Sequence, residues 1–398
     1  MHILLAAPGV SVHSQRFLQM LLDAGHIVTF VDSHNPKPEG AERYAFVTYP
    51  GMFGLGRFGL RTVNRLGHRI KAARLKSIWK RTKPDVVHVH WVDQRAYHCA
   101  LAGVHPMVLT CWGSDINNLF DPNNRDTDHR ARIIRSLAHA DHITADSLEV
   151  RERCEQLVGR KLNSSLFYFG IDLERFRPGY AEEAASLRAR LGIAASAKVI
   201  LSTRRLVPLM QHEKVLRAFA KAVKETGTDA VILFNRYLSA DAEYLTQIES
   251  LADSLGIGGR VVWMDGINNN EMPVVLAASD LVVNFPDRDG FPVSLFEAAA
   301  CKRAVITCAL KAYDRVFDGA FIPVPPNDER GLCDAIKNCL TENADQRSQR
   351  TESAFARVRA VGSRSGSMKH IEAVYEQAVS VDQPSNEFAS VGGLESQS

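Results

Sequence analysis

The 398-residue sequence contains no C-x-x-C pair, and its seven cysteines fall at no metal-ligand spacing. An odd number of cysteines argues against the disulfide framework of a secreted fold, so reduced thiols and a cytoplasmic setting are expected. Long apolar runs are missing too: none approaches the ~20 residues that cross a bilayer. The opening MHILLAAPGVSVHSQRF lacks the basic leader and long apolar core of a signal peptide. Its first loop, APGVSVHS, has one glycine where a dinucleotide fingerprint needs three, which disfavours a dehydrogenase. Acidic residues are absent between Glu42 and Asp85, while ten basic ones stand between Arg57 and Lys83. Val63, Leu66, Ile70 and the Ile78-Trp79 pair recur there at helical spacing, so 57–83 reads as a basic amphipathic helix. Such a helix either presents a solvated basic face or lies on an anionic membrane surface, which would make the protein peripheral on the inner face of a membrane. Nucleic acid is not expected as a partner, since no aromatic stacking platform is interleaved with the charges.

Short β-branched runs alternate with helical patterns. HILLA, SQRFLQMLLDAGH and IVTFVD make a βαβ start, and DVVHVH, MVLTC and HITA continue it. After a Pro-Gly and Ala-rich junction the pattern restarts with KVILS, AVILF, VVWM, LVVNF and AVITC. The fold class expected is α/β, with two Rossmann-like domains facing across a cleft. They divide as 1–178 and 179–363, with a C-terminal helix over 364–380 returning to the first domain and a disordered polar tail over 381–398.

Ligands of open parallel sheets bind beyond the carboxyl ends of the strands. There the sequence offers DRDGFPVSLFEAAACKRAVIT, in which Asp289 and Glu297 stand eight positions apart around a Gly-Phe-Pro turn. Pro292 near N1 predicts a helix start whose free amides attract an anionic group such as a diphosphate. Gly290, Phe291, Pro292, Val293 and Ser294 are the expected donor-binding stretch. Asp289 and Glu297 would accept hydrogen bonds from hydroxyls on the two sides of that phosphate, as a nucleotide sugar requires. In the first half, TCWGSD follows a strand: Gly113 allows close backbone approach, and Asp115 is either an orienting acid or a helix cap. His88 and His90, on one strand face, are more simply packed residues than ligands. His13, in the loop after the first strand, is the better candidate.

At these residues the sequence resembles the retaining family 4 glycosyltransferases of the GT-B fold, whose signature is an acid, seven residues, then Glu. RRLVP, GIDLERF and ADHITADS resemble further elements of that family, so the resemblance covers nearly the whole chain. It implies a transferase moving a sugar from a nucleoside-diphosphate sugar to a hydroxyl of a glycan, glycolipid or small molecule, as in polysaccharide or glycoconjugate biosynthesis. Carried over residue by residue, it gives Glu297 the ribose, Asp289 the sugar hydroxyls and Arg205 the diphosphate. Gly9, His13, Trp112 and Gly113 fall on the acceptor side, with Asp115 among the catalytic set. No cofactor and no metal are expected, despite the D-x-D appearance of Asp287 and Asp289. The sequence departs from the family at Met210, where a Lys is expected, and at Lys302, Arg303 and Ala304, which replace Gly-x-Pro. Arg204, Lys214 or Lys302 would then supply the missing charge. Asn235 and Arg236 stand where the family has a Gly-acid-Gly turn. The alternatives are a nucleotide-sugar epimerase or hydrolase on the same fold, and a non-catalytic protein that binds the donor or a partner.

Overall fold

The computed structural model describes residues 1–32, 45–48, 61–236, 241–265, 270–313 and 319–381. The expected tail over 381–398 lies almost wholly outside the described residues, as does Arg57 of the basic segment. The chain divides into two compact units. Unit 1 holds Met1–Asp146, Val150–Phe167 and the chain from Met368, and unit 2 holds Tyr168–Ser367 with Ser147–Glu149. The sequence places the first boundary at 178; in the structure the segment from Tyr168 already belongs to unit 2.

Unit 1 is a parallel sheet of seven strands: β1 (His2–Ala6), β2 (Ile27–Asp32), β3 (Ala45–Thr48), β4 (Val86–His90), β5 (Met107–Cys111), β6 (His142–Ala145) and β7 (Ser164–Leu166). Their spatial order is β3-β2-β1-β4-β5-β6-β7. Unit 2 repeats the plan with β8 (Lys198–Ser202), β9 (Ala230–Asn235), β10 (Val261–Met264), β11 (Leu281–Asn284), β12 (Ala304–Cys308) and β13 (Ile322–Val324), in the order β10-β9-β8-β11-β12-β13. The helices of unit 1 are α1 (Val12–Asp23), α2 (Arg61–Thr82), α3 (Gln94–Ala102), α4 (Ser114–Asn117), α5 (Thr127–His139) and α6 (Leu148–Val158). Unit 2 has α7 (Ala181–Arg190), α8 (His212–Thr226), α9 (Ala242–Ser254), α10 (Met272–Ala278), α11 (Val293–Ala300), α12 (Glu329–Thr341) and α13 (Ala344–Val361). The last helix, α14 (Arg364–Val381), starts in unit 2 and continues into unit 1.

Strands covered on both faces should be apolar throughout, and β1, β4, β5 and β8 are buried along almost every position. In each sheet the order reverses once, at β1/β4 and at β8/β11, and a parallel sheet opens a crevice at that switch point. All seven cysteines are free and buried in the cores. No described helix is long and apolar enough to cross a membrane.

The basic helix forms as α2, but with a different inner face. Ala72, Leu75 and Ile78 are buried against the core, whereas Leu66 is 57% exposed. Ala72, Leu75 and Ile78 set the buried stripe, and Leu66, six residues before Ala72, is turned about 120° away from it. At GIDLERF, a Cβ on Gly170 would stand 2.5 Å from the Arg364 Cα, so only glycine allows α14 to start against this segment. The Asp172 carboxylate accepts from the Glu174 and Arg175 amides at 3.0 and 3.2 Å, and the turn it forms buries Phe176.

Candidate active site

The loop after β8 and the loop after β11 meet at the switch point of unit 2. Arg204, from the first, donates through Nη2 to Asp289 Oδ1 at 2.8 Å, and its Nε donates to Met210 Sδ at 3.3 Å. The other Asp289 oxygen, Oδ2, accepts from the Tyr313 hydroxyl at 2.7 Å, and that hydroxyl accepts in turn from Asn284 Nδ2 at 2.9 Å. Asn284 ends β11, while Tyr313 arrives from the short 3-10 turn Lys311–Tyr313 after β12. Three adjacent strand ends therefore fix one carboxylate, and Arg204 balances its charge. Burial and the Asp289 charge hold the Tyr313 phenol well above its ordinary range, so it remains a donor. A guanidinium carries five N–H donors, and two of those of Arg204 are engaged here. Among the described residues, no other partner engages the remaining three.

Pro292 is the N-cap of α11 and not its first helical residue, because Val293 opens the helix. Its extended backbone still aims the chain into the helix, with no acidic side chain in the first turn to compete for an anion. Ser294 in that turn accepts from the Thr203 hydroxyl at 3.1 Å, which joins the β8 loop to the helix start. Phe291 stacks on Tyr168 at 4.9 Å and contacts Phe296 at 4.7 Å, anchoring the turn that carries Gly290. Glu297 lies one turn further along α11 and is 5% exposed.

The remaining cations named from the sequence have other engagements. Lys302 pairs with Glu352 on α13 and lies over the Phe355 ring at 5.2 Å. Lys214 donates to Asn327 Oδ1 at 2.6 Å. Arg205 is exposed, and it is its neighbour Arg204 that reaches Asp289. Arg236 pairs with Asp265 through two 3.0 Å hydrogen bonds and lies over Trp263, a surface ion pair at the end of β9, while Asn235 is buried.

In unit 1 the corresponding loops follow β1, β4 and β5. The Gly9 amide donates to Asp32 Oδ2 at 2.8 Å, and Asp32 Oδ1 pairs with Arg95 at 3.1 Å, so the first loop is tied to the end of β2. His13 lies in the first turn of α1 and not in the loop before it, since Ser11 caps the helix two residues earlier. Its ring meets Trp112 edge to face at 5.0 Å. Burial, then the Arg16 charge, push the His13 imidazole down to about 4, so it is neutral near pH 7. Gly113 has φ 88°, a conformation that glycine alone adopts without strain, and it is the N-cap of α4. Asp115 accepts from the Val92 amide at 2.9 Å and from the Trp112 amide at 3.0 Å, holding two strand-end turns together. It is not the helix cap. Burial raises its carboxyl to about 6 even though these amides oppose the shift. His88 and His90 are fully buried; His88 shares hydrogen bonds with the Tyr375 hydroxyl at 2.6 Å and Thr110 Oγ1 at 2.7 Å. Neither Tyr313 nor Asn284 was apparent from the sequence, because they join Asp289 only once β11 and β12 lie side by side.

Residues 2–147 match the family described as glycosyl transferase 4-like, and residues 184–357 match glycosyl transferases group 1. N-acetyl-alpha-D-glucosaminyl L-malate synthase of Bacillus anthracis is 27% identical over 237 residues, covering 58% of this chain and 58% of its own. D-inositol 3-phosphate glycosyltransferase of Mycobacterium ulcerans is 30% identical over 186 residues, 46% of this chain and 34% of that one. The chain thus spans well under two thirds of the length of these curated relatives. Among solved structures, sucrose-phosphate synthase from Thermosynechococcus elongatus superposes with TM-score 0.76 at 17% identity, covering 96% of this chain and all of that one. A glycosyltransferase from Rickettsia africae gives 0.79 at 14%, covering 96% and 99%. Anabaena HepE, in complex with UDP and glucose, gives 0.75 at 15%, covering 94% and 99%. Two matched families that together take in both units, and this shared architecture, place the chain among the GT-B glycosyltransferases of the family 4-like, group 1 type.

Proposed function

We propose that this protein is a retaining glycosyltransferase that moves a sugar from a nucleoside-diphosphate sugar to an acceptor hydroxyl. The observation that carries the reading is the Arg204–Asp289 pair at the β8/β11 switch point, beside the start of α11. In this reading Arg204 takes over the charge that Met210 lacks, and its three remaining donors bind the diphosphate. Glu297 holds the ribose, and Asp289, steadied by Tyr313, orients the sugar hydroxyls. Gly290, Phe291, Pro292, Val293 and Ser294 bring the backbone close to the phosphates. Arg205, exposed beside this loop, adds to the positive field. Departure of the diphosphate on the face where the acceptor enters retains configuration, with the leaving phosphate taking the acceptor proton. Catalysis then rests on positioning and on stabilising the developing phosphate charge, without a metal. Gly9, His13, Trp112, Gly113 and Asp115 shape the acceptor side, with Asp115 acting by holding the Trp112 turn. The acceptor is a glycan, glycolipid or small molecule, and the basic segment 57–83 brings the protein to an anionic membrane surface.

Thermal shifts of the wild type and Glu297→Ala with UDP, GDP, ADP and CMP, in EDTA, test this reading. The UDP held by HepE makes UDP the first choice. A nucleotide at about 100 times its dissociation constant adds ~2.7 kcal/mol of stability, and the Glu297→Ala change should abolish that shift. No stabilisation by any of the four would overturn the reading. A second reading, a donor-binding protein without turnover, is motivated by Met210; nucleotide binding without any sugar transfer would favour it.

A further inference from the structure

Three helices of unit 1, α2, α3 and α5, close around a cavity of about 370 Å³ lined by Arg65, His68, Tyr97, Asp128, Arg132 and Arg135. Three guanidiniums thus face a single carboxylate. Arg132 and Arg135 stand three apart on α5, and Arg65 and His68 three apart on α2, so each helix presents its pair on one face. Among the described residues, none of these three arginines forms an ion pair. Arg65 and Arg135 are exposed, and neither belongs to the buried core of unit 1. Like charges gathered in one cavity repel, so an occupant of opposite charge would relieve them. The uncharged lining is interconnected. His68 Nδ1 shares a 3.0 Å hydrogen bond with Nε2 of the buried His98, and the Tyr97 ring meets His68 edge to face at 5.3 Å. Burial, then the charges of Arg132 and Lys71, lower the His68 pKa.

We propose that this cavity binds a phosphate-bearing anion, held by the forked donors of Arg65, Arg132 and Arg135. Guanidinium matches the oxygen geometry of phosphate in a two-point contact that an ammonium cannot make. The volume accommodates a phosphate or diphosphate ester. The phosphate belongs either to a lipid headgroup or to a soluble phosphorylated molecule. This is a different feature from the basic surface of α2, because two of the three guanidiniums come from α5. It is also separate from the donor site, whose Arg204 and Asp289 belong to unit 2.

The test uses the full chain carrying Arg204→Ala, so that the donor site does not contribute. Its probes are inorganic pyrophosphate, followed by calorimetry, and phosphatidylcholine vesicles with and without phosphatidic acid, followed by flotation. Added to that background, Arg132→Ala/Arg135→Ala should weaken binding about tenfold or more, with an unchanged melting temperature. Arg132→Lys/Arg135→Lys keeps the charge but not the fork, and should also lose most of the binding. Arg65→Glu, on the other helix, provides an independent variant. Loss of flotation assigns the lipid source; loss of pyrophosphate binding alone assigns a soluble one. The proposal is overturned if the background protein binds neither probe, if the alanine pair binds both unchanged, or if the lysine pair binds as well as the arginines.

Discussion

In the proposed reading, Arg204 concentrates in one side chain what the family pattern distributes over two. At an effective dielectric of about 20, a cation 4 Å from a developing phosphate charge is worth ~4 kcal/mol, so Arg204→Ala should lower kcat by about three powers of ten. Met210 Sδ touches the Arg204 Nε, and a lysine placed there stands within reach of the same anion. Met210→Lys in the Arg204→Ala background should therefore recover about tenfold or more of kcat, measured as sugar transfer at saturating donor. No recovery would mean that Arg204 contributes geometry rather than charge. The acid pair was legible in the sequence, because a loop acid and a helix acid around Gly-Phe-Pro sit on a single strand-turn-helix. The choice of cation was not: adjacent arginines in one loop look alike in sequence, and only the fold shows that Arg204 reaches Asp289. Tyr313 was hidden for a different reason, since it comes from another strand end 24 residues further on.

Among the elements, the central strands were readable because burial on both faces demands unbroken apolar runs. Three of the four edge strands were not, β10 (VVWM) being the exception. β7 reads Ser-Ser-Leu and β13 carries Pro323, a residue that edge strands tolerate and central ones do not. Helix α14 was recognisable as a helix, but the individual residues it meets were not. In unit 1 its Tyr375 meets His88, its Glu372 pairs with His26 at 3.0 Å, and its His370 contacts Ser165 at 3.1 Å. Each contact joins residues more than 200 positions apart, beyond any local pattern. Removing the Tyr375 hydroxyl strips a fully buried histidine of one partner, which costs ~1–3 kcal/mol. Tyr375→Phe should thus lower the urea midpoint of unit 1, and the same variant with His88→Phe should recover much of the loss. An unchanged midpoint would show that the hydroxyl contributes nothing net.

For the molecule as a whole, buried imidazoles set the response to acid. Burial depresses His88 and His212 to about 3, and His13 and His142 to about 4. Unfolded, each takes up a proton near pH 6.5; folded, it does so only near 3 to 4. The stability they allow is thus complete above pH 6.5 and falls as the pH drops from there toward 4. For each of the fully buried rings, His88 and His212, the loss is ~1.4 kcal/mol per pH unit. Asp115 acts in the opposite sense: its carboxyl is raised to about 6, which favours the folded state between about pH 6 and 4 and offsets one of these protons. Urea titrations at pH 7, 6 and 5 should show stability declining, and His212→Phe should reduce the slope by about one proton; equal slopes in the two proteins would refute the assignment. Two parallel sheets in tandem were evident from the alternating runs, because each run needs helices on both its faces. The location of the switch points was not, since strand order depends on crossovers that sequence periodicity does not encode.

The return of α14 also has a consequence in time. Unit 1 begins at the first residue, yet the Tyr375 that completes the surroundings of His88 follows the whole of unit 2. At about 5 to 20 residues per second, the intervening stretch of about 200 residues takes roughly 10 to 40 s to synthesise. During that interval the sheet of unit 1 stands with His88 lacking one of its partners and the surface that α14 will cover still open to water. Unit 2 has all its strands in continuous sequence and can close first. The half of the protein that is made earliest is therefore the last to finish, and it is the half whose folding a chaperone has most reason to attend.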